Sequence, residues 1–198
     1  MSAVPKKVQL TETEYLRIER GAFEKSDFYR GEMFAMAGAS RFHCTINTNI
    51  VGELHGRLQG TSCRQFANDM RVKNELTGLF NYPDCLIVCE EPKYLDRHED
   101  VLLNPRVIIE IVSPSTESYD RGFKFQSYRR LPSCQEYIMV SQRAPLIERY
   151  VRQADDTWLL TIFEGLERVF SFSSVPIQIP MKALYQLIDF TESNEPGP

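Results

Sequence analysis

The chain has 198 residues, of which 42% are hydrophobic and 25% are charged, and its formal net charge is -4. This composition is typical of one globular domain and excludes a low-complexity protein, and no apolar run is long enough to span a membrane. The negative net charge argues against a surface that is basic throughout, whereas an acidic metal site is compatible with it.

The first part of the chain predicts two helices that flank a strand or hairpin. Thr11 and Glu14 match a capping box, so a short helix should begin there. Residues 28–35 alternate loosely and indicate the strand or hairpin. Ser40 can cap a long helix. The apolar residues of that helix recur every four positions and predict a buried stripe: Phe42, Ile46, Ile50, Leu54 and Leu58.

Two further strands between residues 62 and 89 predict a hairpin around the turn NELTG. If Asn74 pairs with Leu79, then Asp69 lies directly opposite Asp84. Like charges that face each other across a hairpin destabilise it unless something positive lies between them, which a divalent cation would supply. A slip of one residue would remove this pairing.

The segment VIIEIV at residues 107–112 predicts a strand that is covered on both faces and contains one carboxylate, Glu110. Burying this group requires a partner. A salt bridge to a neighbouring basic residue and a bound metal ion are both compatible with the pattern. Asp84 follows Pro83 where a strand opens, and it could be an ordinary turn residue or a second ligand.

A helix is predicted from Tyr119 to about Leu131. In it Asp120, Lys124 and Tyr128 recur at intervals of four and share one face. A solvated ion pair between Asp120 and Lys124 explains the first two equally well. Basic residues of this region could form either a phosphate track or a solvated face: Arg121, Arg129 and Arg130. Strands then follow to about residue 170 and a short helix ends the chain, so the element order predicts an α/β or α+β domain around a mixed sheet.

The five cysteines include no CxxC pair. Cys85 and Cys89 would lie roughly 13 Å apart on a strand, too far to share a metal or a disulfide. We therefore expect all five to be reduced thiols in a cytoplasmic protein. The N-terminus shows no apolar core of a signal peptide. A single domain is expected over residues 11–190, with flexible termini at 1–10 and 191–198.

Several motifs together resemble the Uma family of bacterial endonucleases, which belongs to the PD-(D/E)XK restriction-endonuclease-like superfamily. They are GEMFAMAGAS, the following His43, NDMRV, YPD, EIVSPST, DRGFKFQSY and EYIMV. The similarity runs from about Thr11 to about Phe190. It implies an α/β fold with a mixed β-sheet core flanked by helices and extended by additional antiparallel strands.

The resemblance also implies a metal site. Asp84 corresponds to the PD aspartate and Glu110 to the second acid, and both would bind Mg²⁺ or Mn²⁺ with help from the carbonyl of Ile111. Asp69 is a further candidate ligand. Oxygen ligands of this kind suit such ions.

The superfamily's lysine is expected two residues after the second acid, where this chain has Val112. The resemblance implies that Lys124 on the following helix replaces it, and that Glu32 supplies the extra acid from the N-terminal region. The roles of His43, Asp120 and Tyr128 stay open.

The expected function is that of a metal-dependent endonuclease that hydrolyses phosphodiester bonds of nucleic acid, with DNA as the substrate. The protein is expected to form a homodimer and to have no membrane partner. The alternative is a catalytically inactive nucleic-acid-binding or oligomeric interaction protein on the same fold, which Val112 and the net charge favour.

Overall fold

The computed structural model describes residues 9–36, 38–114 and 116–191, so most of both predicted flexible termini lies outside it. The helices are α1 (Glu12–Glu19), α2 (Arg41–Leu58), α3 (Glu117–Tyr119), α4 (Phe125–Tyr128) and α5 (Met181–Leu184), and a π-helical turn, Asp120–Lys124, joins α3 to α4. The first seven strands are β1 (Ser26–Tyr29), β2 (Glu32–Ala35), β3 (Arg64–Ala67), β4 (Arg71–Asn74), β5 (Leu79–Asn81), β6 (Cys85–Val88) and β7 (Val101–Leu102). The remaining strands are β8 (Val107–Val112), β9 (Glu136–Ser141), β10 (Leu146–Arg152), β11 (Trp158–Glu164), β12 (Val169–Ser171) and β13 (Gln178–Pro180). None of the helices within these ranges is long and apolar enough to cross a bilayer.

The strands form a six-stranded sheet in the order β11-β10-β9-β8-β6-β3, a five-stranded sheet in the order β2-β1-β5-β4-β7, and a small β12-β13 pair. In the larger sheet β8 and β9 are parallel, while β6 and β10 pair with them in the antiparallel sense. The helical segment from α3 to α4 makes the crossover between β8 and β9, as a parallel pair requires. The predicted α/β class with a mixed sheet and additional antiparallel strands is confirmed.

The larger sheet is covered on both faces, and this decides where its polar residue points. On one face Ile109 and Ile111 join the apolar cluster of α2 and α5. On the other face Ile108 and Val112 pack in a second cluster, which includes Tyr128 of α4. Because successive strand residues alternate between faces, Glu110 points toward the crossover helix.

Local signals placed both N-terminal helices correctly. Thr11 and Glu14 form the capping box of α1, and the Ser40 hydroxyl accepts the His43 N–H at 3.1 Å to cap α2. The stripe of α2 is buried from Ile46 onward. Between the helices, β1 and β2 form a hairpin that turns at Arg30 and Gly31, both with positive φ. A Cβ on Gly31 would lie 2.7 Å from the Cβ of Gln9, so this turn requires glycine.

The predicted hairpin between residues 62 and 89 is divided between two sheets. Its turn has the predicted register, with Asn74 opposite Leu79 in the β4–β5 pair. Before that turn, however, the chain breaks at Asn68, whose φ of 53° ends β3. β3 instead pairs with β6 in the larger sheet, with Ala67 opposite Cys85. The continuous strand predicted for residues 62–73 is therefore wrong.

This break changes the position of Asp69. The N–H of Asn68, rather than that of Asp69, donates to the carbonyl of Asp84 at 3.1 Å. The side chain of Asp69 is 83% exposed and forms an ion pair with Lys25. The predicted pairing of Asp69 with Asp84 is wrong because the pairing positions shift by one residue at the break.

The expectation that all five cysteines are reduced is wrong for Cys63 and Cys89, which form a disulfide. Pairing of β3 with β6 places Arg64 opposite Val88, so the two cysteines lie opposite each other just beyond these strands. That pairing was not visible in the sequence. Cys85, which shares no bond with Cys89, is a buried thiol.

Thiol titration tests this arrangement. The protein unfolded in denaturant without reductant should yield three thiols, those of Cys44, Cys85 and Cys134, and five after reduction. The Cys63→Ser variant keeps four cysteines and should yield four thiols after reduction. Without reductant it should yield three if Cys89 is blocked by a small thiol during oxidative purification, and four if Cys89 is left free. A count of five from the unreduced wild-type protein would contradict the disulfide.

Candidate active site

Two carboxylates lie opposite each other where β6 begins. Cys85 pairs with Ile109 in the antiparallel β6–β8 ladder, so the next position places Asp84 opposite Glu110. The backbone N–H of Ile111 donates to Oδ2 of Asp84 at 2.7 Å and holds the side chain in place. Two like charges at this spacing repel each other and are unfavourable unless a positive charge lies close to them.

Glu110 is 2% exposed. Burial raises the pKa of its carboxyl well above the ordinary value; Lys124 opposes that rise, while Asp120 and Asp84 add to it. The Tyr128 hydroxyl donates to Oε1 of Glu110 at 3.4 Å. The carboxylate is thus held in an environment that disfavours its charge.

Lys124 supplies the partner of Glu110. Its Nζ lies 3.0 Å from Oε2 of Glu110 and 3.1 Å from Oδ1 of Asp120, and the residue is 8% exposed. Burial acts against the charge of Lys124, but the surrounding carboxylates outweigh it and raise its pKa above the ordinary value. The alternative of a solvated surface ion pair is therefore wrong. Val112, at the position where the superfamily has its lysine, is buried among apolar side chains.

A fourth acidic residue, Asp27, belongs to the same cluster and was missed by the sequence analysis. It lies on β1 and is 7% exposed. Burial raises the pKa of Asp27 to about 6, although Lys124 opposes the rise. The Tyr119 hydroxyl lies 3.5 Å from Oδ2, whereas Oδ1 is buried without a hydrogen-bond partner among the described residues. The only signal in the sequence was a carboxylate inside a short strand, SDFY.

His43 reaches the cluster from the other layer. Its Nε2 lies 3.0 Å from Oδ1 of Asp84. It is in the first turn of α2, whose position is held because the Ser40 hydroxyl donates to Gln142, just after β9, at 2.6 Å. The sequence analysis left the role of this histidine open, because its partner Asp84 is far away along the chain.

Glu32 is placed near this cluster but on a different strand. It lies on β2 opposite Tyr29 of β1. Because Asp27 and Tyr29 are two residues apart, Glu32 shares their face of the hairpin. Its carboxylate therefore faces the same side as Asp27, one strand further out.

The three arginines that could have formed a phosphate track do not all lie together, because Arg121 precedes α4 whereas Arg129 and Arg130 follow it. Arg121 forms ion pairs with Glu117 and with Glu148. Arg129 and Arg130 are exposed but follow α4, and the Arg129 carbonyl accepts from Arg152. At these two residues the chain has left the crossover helix and runs away from Asp84 toward the start of β9.

Comparison with known proteins identifies the family of this chain. Residues 13–182 match the model of the Uma2 family, described as "Putative restriction endonuclease". The chain belongs to the Uma2 family. It is 35% identical over 168 residues to the uncharacterized protein sll1609 of Synechocystis sp. (strain ATCC 27184 / PCC 6803 / Kazusa), covering 85% of this chain and 95% of that protein. A second uncharacterized Synechocystis protein, slr1290, is 29% identical over 92% of this chain and 94% of its own length.

The fold of this Uma2-family chain also matches a solved structure. A crystal structure from Anabaena variabilis ATCC 29413, described as "a putative nuclease belonging to DUF820", superposes with a TM-score of 0.71 at 15% identity. It covers 89% of this chain and 97% of the other. At this identity the likeness establishes the fold.

The residues of the cluster suit a divalent cation by charge and by ligand type. Four carboxylates, those of Asp27, Asp84, Glu110 and Asp120, act on the single ammonium group of Lys124. Oxygen ligands are those that Mg²⁺ prefers. Among the described residues no three His, Cys, Asp or Glu side chains already stand in a metal-binding arrangement. Asp84 instead contacts Ile111 and His43, and Glu110 contacts Lys124. Binding of a cation therefore requires both carboxylates to turn away from these partners.

The buried carboxyl of Asp27 makes a pH-dependent stability difference testable. Its pKa of about 6 in the folded protein lies above the ordinary 3.8, so its ionisation opposes folding, and the cost grows as pH rises through this interval. Asp27→Asn should therefore increase the free energy of unfolding relative to wild type, by on the order of 1 kcal/mol more at pH 8 than at pH 5. Urea unfolding in EDTA at both pH values measures this. An equal difference at the two pH values would contradict the raised pKa.

Proposed function

We propose that this Uma2-family protein is a Mg²⁺- or Mn²⁺-dependent endonuclease that hydrolyses phosphodiester bonds of DNA. The observation that carries the proposal is the opposition of Asp84 and Glu110 with Lys124 3.0 Å from Glu110. Metal-dependent nuclease chemistry uses a cation site and a positively charged group near the reacting phosphate, and these three side chains can provide them.

Asp84 and Glu110, with the carbonyl of Ile111, would hold the ion. When bound, it would polarise the phosphate and lower the pKa of a bound water. Lys124 would stay protonated because the surrounding carboxylates raise its pKa, and it would stabilise negative charge on the phosphate. Glu32 is the further acid of the proposal, since it shares a face with the buried Asp27.

The proposal extends to assembly and location. We propose that residues 11–190 act as one domain in a cytoplasmic homodimer. The edge strand β11 supports self-association because its apolar residues Leu159, Leu160 and Ile162 are 42–56% exposed. Uncovered apolar edge strands invite pairing with another chain. Light scattering should give twice the mass of 23.0 kDa; the monomer mass at micromolar concentration would contradict the dimer.

The second candidate is a catalytically inactive nucleic-acid-binding or interaction protein on the same fold. It is favoured by Val112 at the usual lysine position and by the engagement of Asp84 and Glu110 with protein partners. Retained DNA binding without metal-dependent cleavage would distinguish it from the nuclease.

Cleavage of supercoiled plasmid tests the nuclease. Wild-type protein should nick it in Mg²⁺ or Mn²⁺ and not in EDTA. Asp84→Ala should lower the nicking rate by at least about 100-fold, because the loss of a metal ligand removes several kcal/mol of transition-state stabilisation. Lys124→Gln should also stop nicking, yet it should bind Mn²⁺ in titration calorimetry, whereas Asp84→Ala should not.

Asp69→Ala is the matched control, because it removes an aspartate that is exposed and paired with Lys25. It should nick at nearly the wild-type rate. Thermal unfolding of each variant shows whether the fold is retained. Nicking that persists in Asp84→Ala prepared identically would attribute the activity to a contaminant and remove the proposal.

A further inference from the structure

An exposed aromatic surface borders the buried carboxylates. Phe34 is 48% exposed and lies directly opposite Asp27 in the β1–β2 pair. Tyr119 is 38% exposed and its hydroxyl lies 3.5 Å from Oδ2 of Asp27. Directly opposite strand residues have Cβ atoms about 5 Å apart. Two accessible rings therefore approach one carboxyl group from different elements.

The ring of Tyr119 is held in position by further aromatic contacts. The ring of Tyr119 stacks on that of Phe123, with centroids 5.3 Å apart and planes at 20°. Phe123 in turn meets Tyr29 edge-on at 4.8 Å. Nζ of Lys124 lies 5.8 Å from the Tyr119 centroid. A ring fixed in this way loses little conformational freedom when a second flat group packs against its exposed part.

Met36 extends the surface on the same face of the hairpin. It is two residues beyond Phe34 and 40% exposed, whereas on the opposite face of the hairpin Phe28 is buried and packs on Tyr15 of α1. We name the exposed rings of Phe34 and Tyr119, together with the adjoining apolar side chain of Met36, the aromatic platform. Its location beside Asp27 and Lys124 makes it continuous with the proposed site of phosphodiester hydrolysis.

The charge of the protein near Asp27 favours a ligand that binds by base stacking over one that binds through the phosphates of a duplex. The protein carries a net charge of -4, Arg121 is paired with two glutamates, and Arg129 and Arg130 lie beyond α4. Binding of a polyanion through phosphate contacts requires a basic surface, which these residues do not make near Asp27. Base–aromatic stacking supplies affinity without one, because every base has a flat apolar face.

We infer that the aromatic platform binds unpaired bases, so that the preferred substrate of this site is single-stranded nucleic acid. A base paired and stacked within a duplex cannot offer its face to Phe34 or Tyr119. An unpaired base stacked there brings its own phosphate toward Lys124. This inference rests on the proposed nuclease function and names its substrate class.

Fluorescence anisotropy in EDTA tests the inference without cleavage. The probes are a labelled 15-nucleotide strand, the same strand with three central abasic sites, and its matched duplex, with an RNA strand of the same sequence as a further probe. The wild-type protein should bind the intact DNA strand about tenfold or more tightly than the abasic strand or the duplex. The abasic strand keeps every phosphate, so the difference isolates the bases.

Variants then locate the binding. Phe34→Ala and Tyr119→Ala should each remove most of the preference for the intact strand, while Tyr119→Phe, which keeps the ring, should retain it. Leu76→Ala is the matched control. Leu76 is 61% exposed but lies in the β4–β5 turn, where Thr77 contacts Ser127 at the far end of the crossover helix. This variant should bind as the wild type does.

Equal affinity for intact and abasic strands, or a preference that survives both alanine variants, would overturn the inference. Metal-dependent nicking that depends on Asp84 would then leave the nuclease proposal standing. Conversely, a base preference that depends on the platform, found with no cleavage of any probe in Mg²⁺ or Mn²⁺, would support the platform and remove the nuclease. Tighter binding of the RNA strand would retain the platform and identify RNA as the preferred chemistry.

Discussion

The ion pair between Lys124 and Glu110 is the contact on which the arrangement of the surrounding elements depends. Glu110 lies in the middle of a strand that is buried on both faces, where an unpaired carboxylate would be costly. Lys124 compensates this charge only in part, since the pKa of Glu110 is still raised. Removing one partner of such a pair costs about 3–5 kcal/mol. The pair therefore connects the crossover helix to β8 and determines which side of the site this helix covers.

The π-helical turn explains how Lys124 reaches this position. A π turn inserts an additional residue into a helix, and such turns are frequently found at functional sites. Here it carries both Asp120 and Lys124, and both are buried. A surplus of buried carboxylates around one lysine lowers stability, so the cluster is a local conflict in an otherwise consistent fold. Such conflicts are expected where a protein binds a ligand or performs chemistry.

The acidic character of the protein and its membership of a nuclease family are compatible, because part of the negative charge lies where a cation would screen it. The carboxylates of Asp27, Asp84, Glu110 and Asp120 surround Lys124. Several positive side chains are paired with acids, as Arg121 with Glu148 and Arg20 with Asp100 show. The exposed side chains near the cluster include the aromatic rings of Phe34 and Tyr119. These rings are the basis of the proposed preference for unpaired bases.

Features that depend on neighbours along the chain were determined by the sequence itself. The caps at Thr11 and Ser40, the buried strand Val107–Val112 and the pairing of Asn74 with Leu79 follow from local patterns, and the motifs sufficed to recognise the family. Tertiary structure alone decided the break at Asn68, because a residue with positive φ changes which strand its neighbours pair with.

That break moved Asp69 out of the cluster and brought Cys63 to Cys89. The places of Asp27 and His43 were likewise decided by the packing of β1 and α2 against β6 and the crossover helix. Contacts between residues distant along the chain depend on sheet order and register, and a single residue of slip reverses every side chain. For this reason the sequence could name the chemical groups of the site, but only the fold could determine which of them meet.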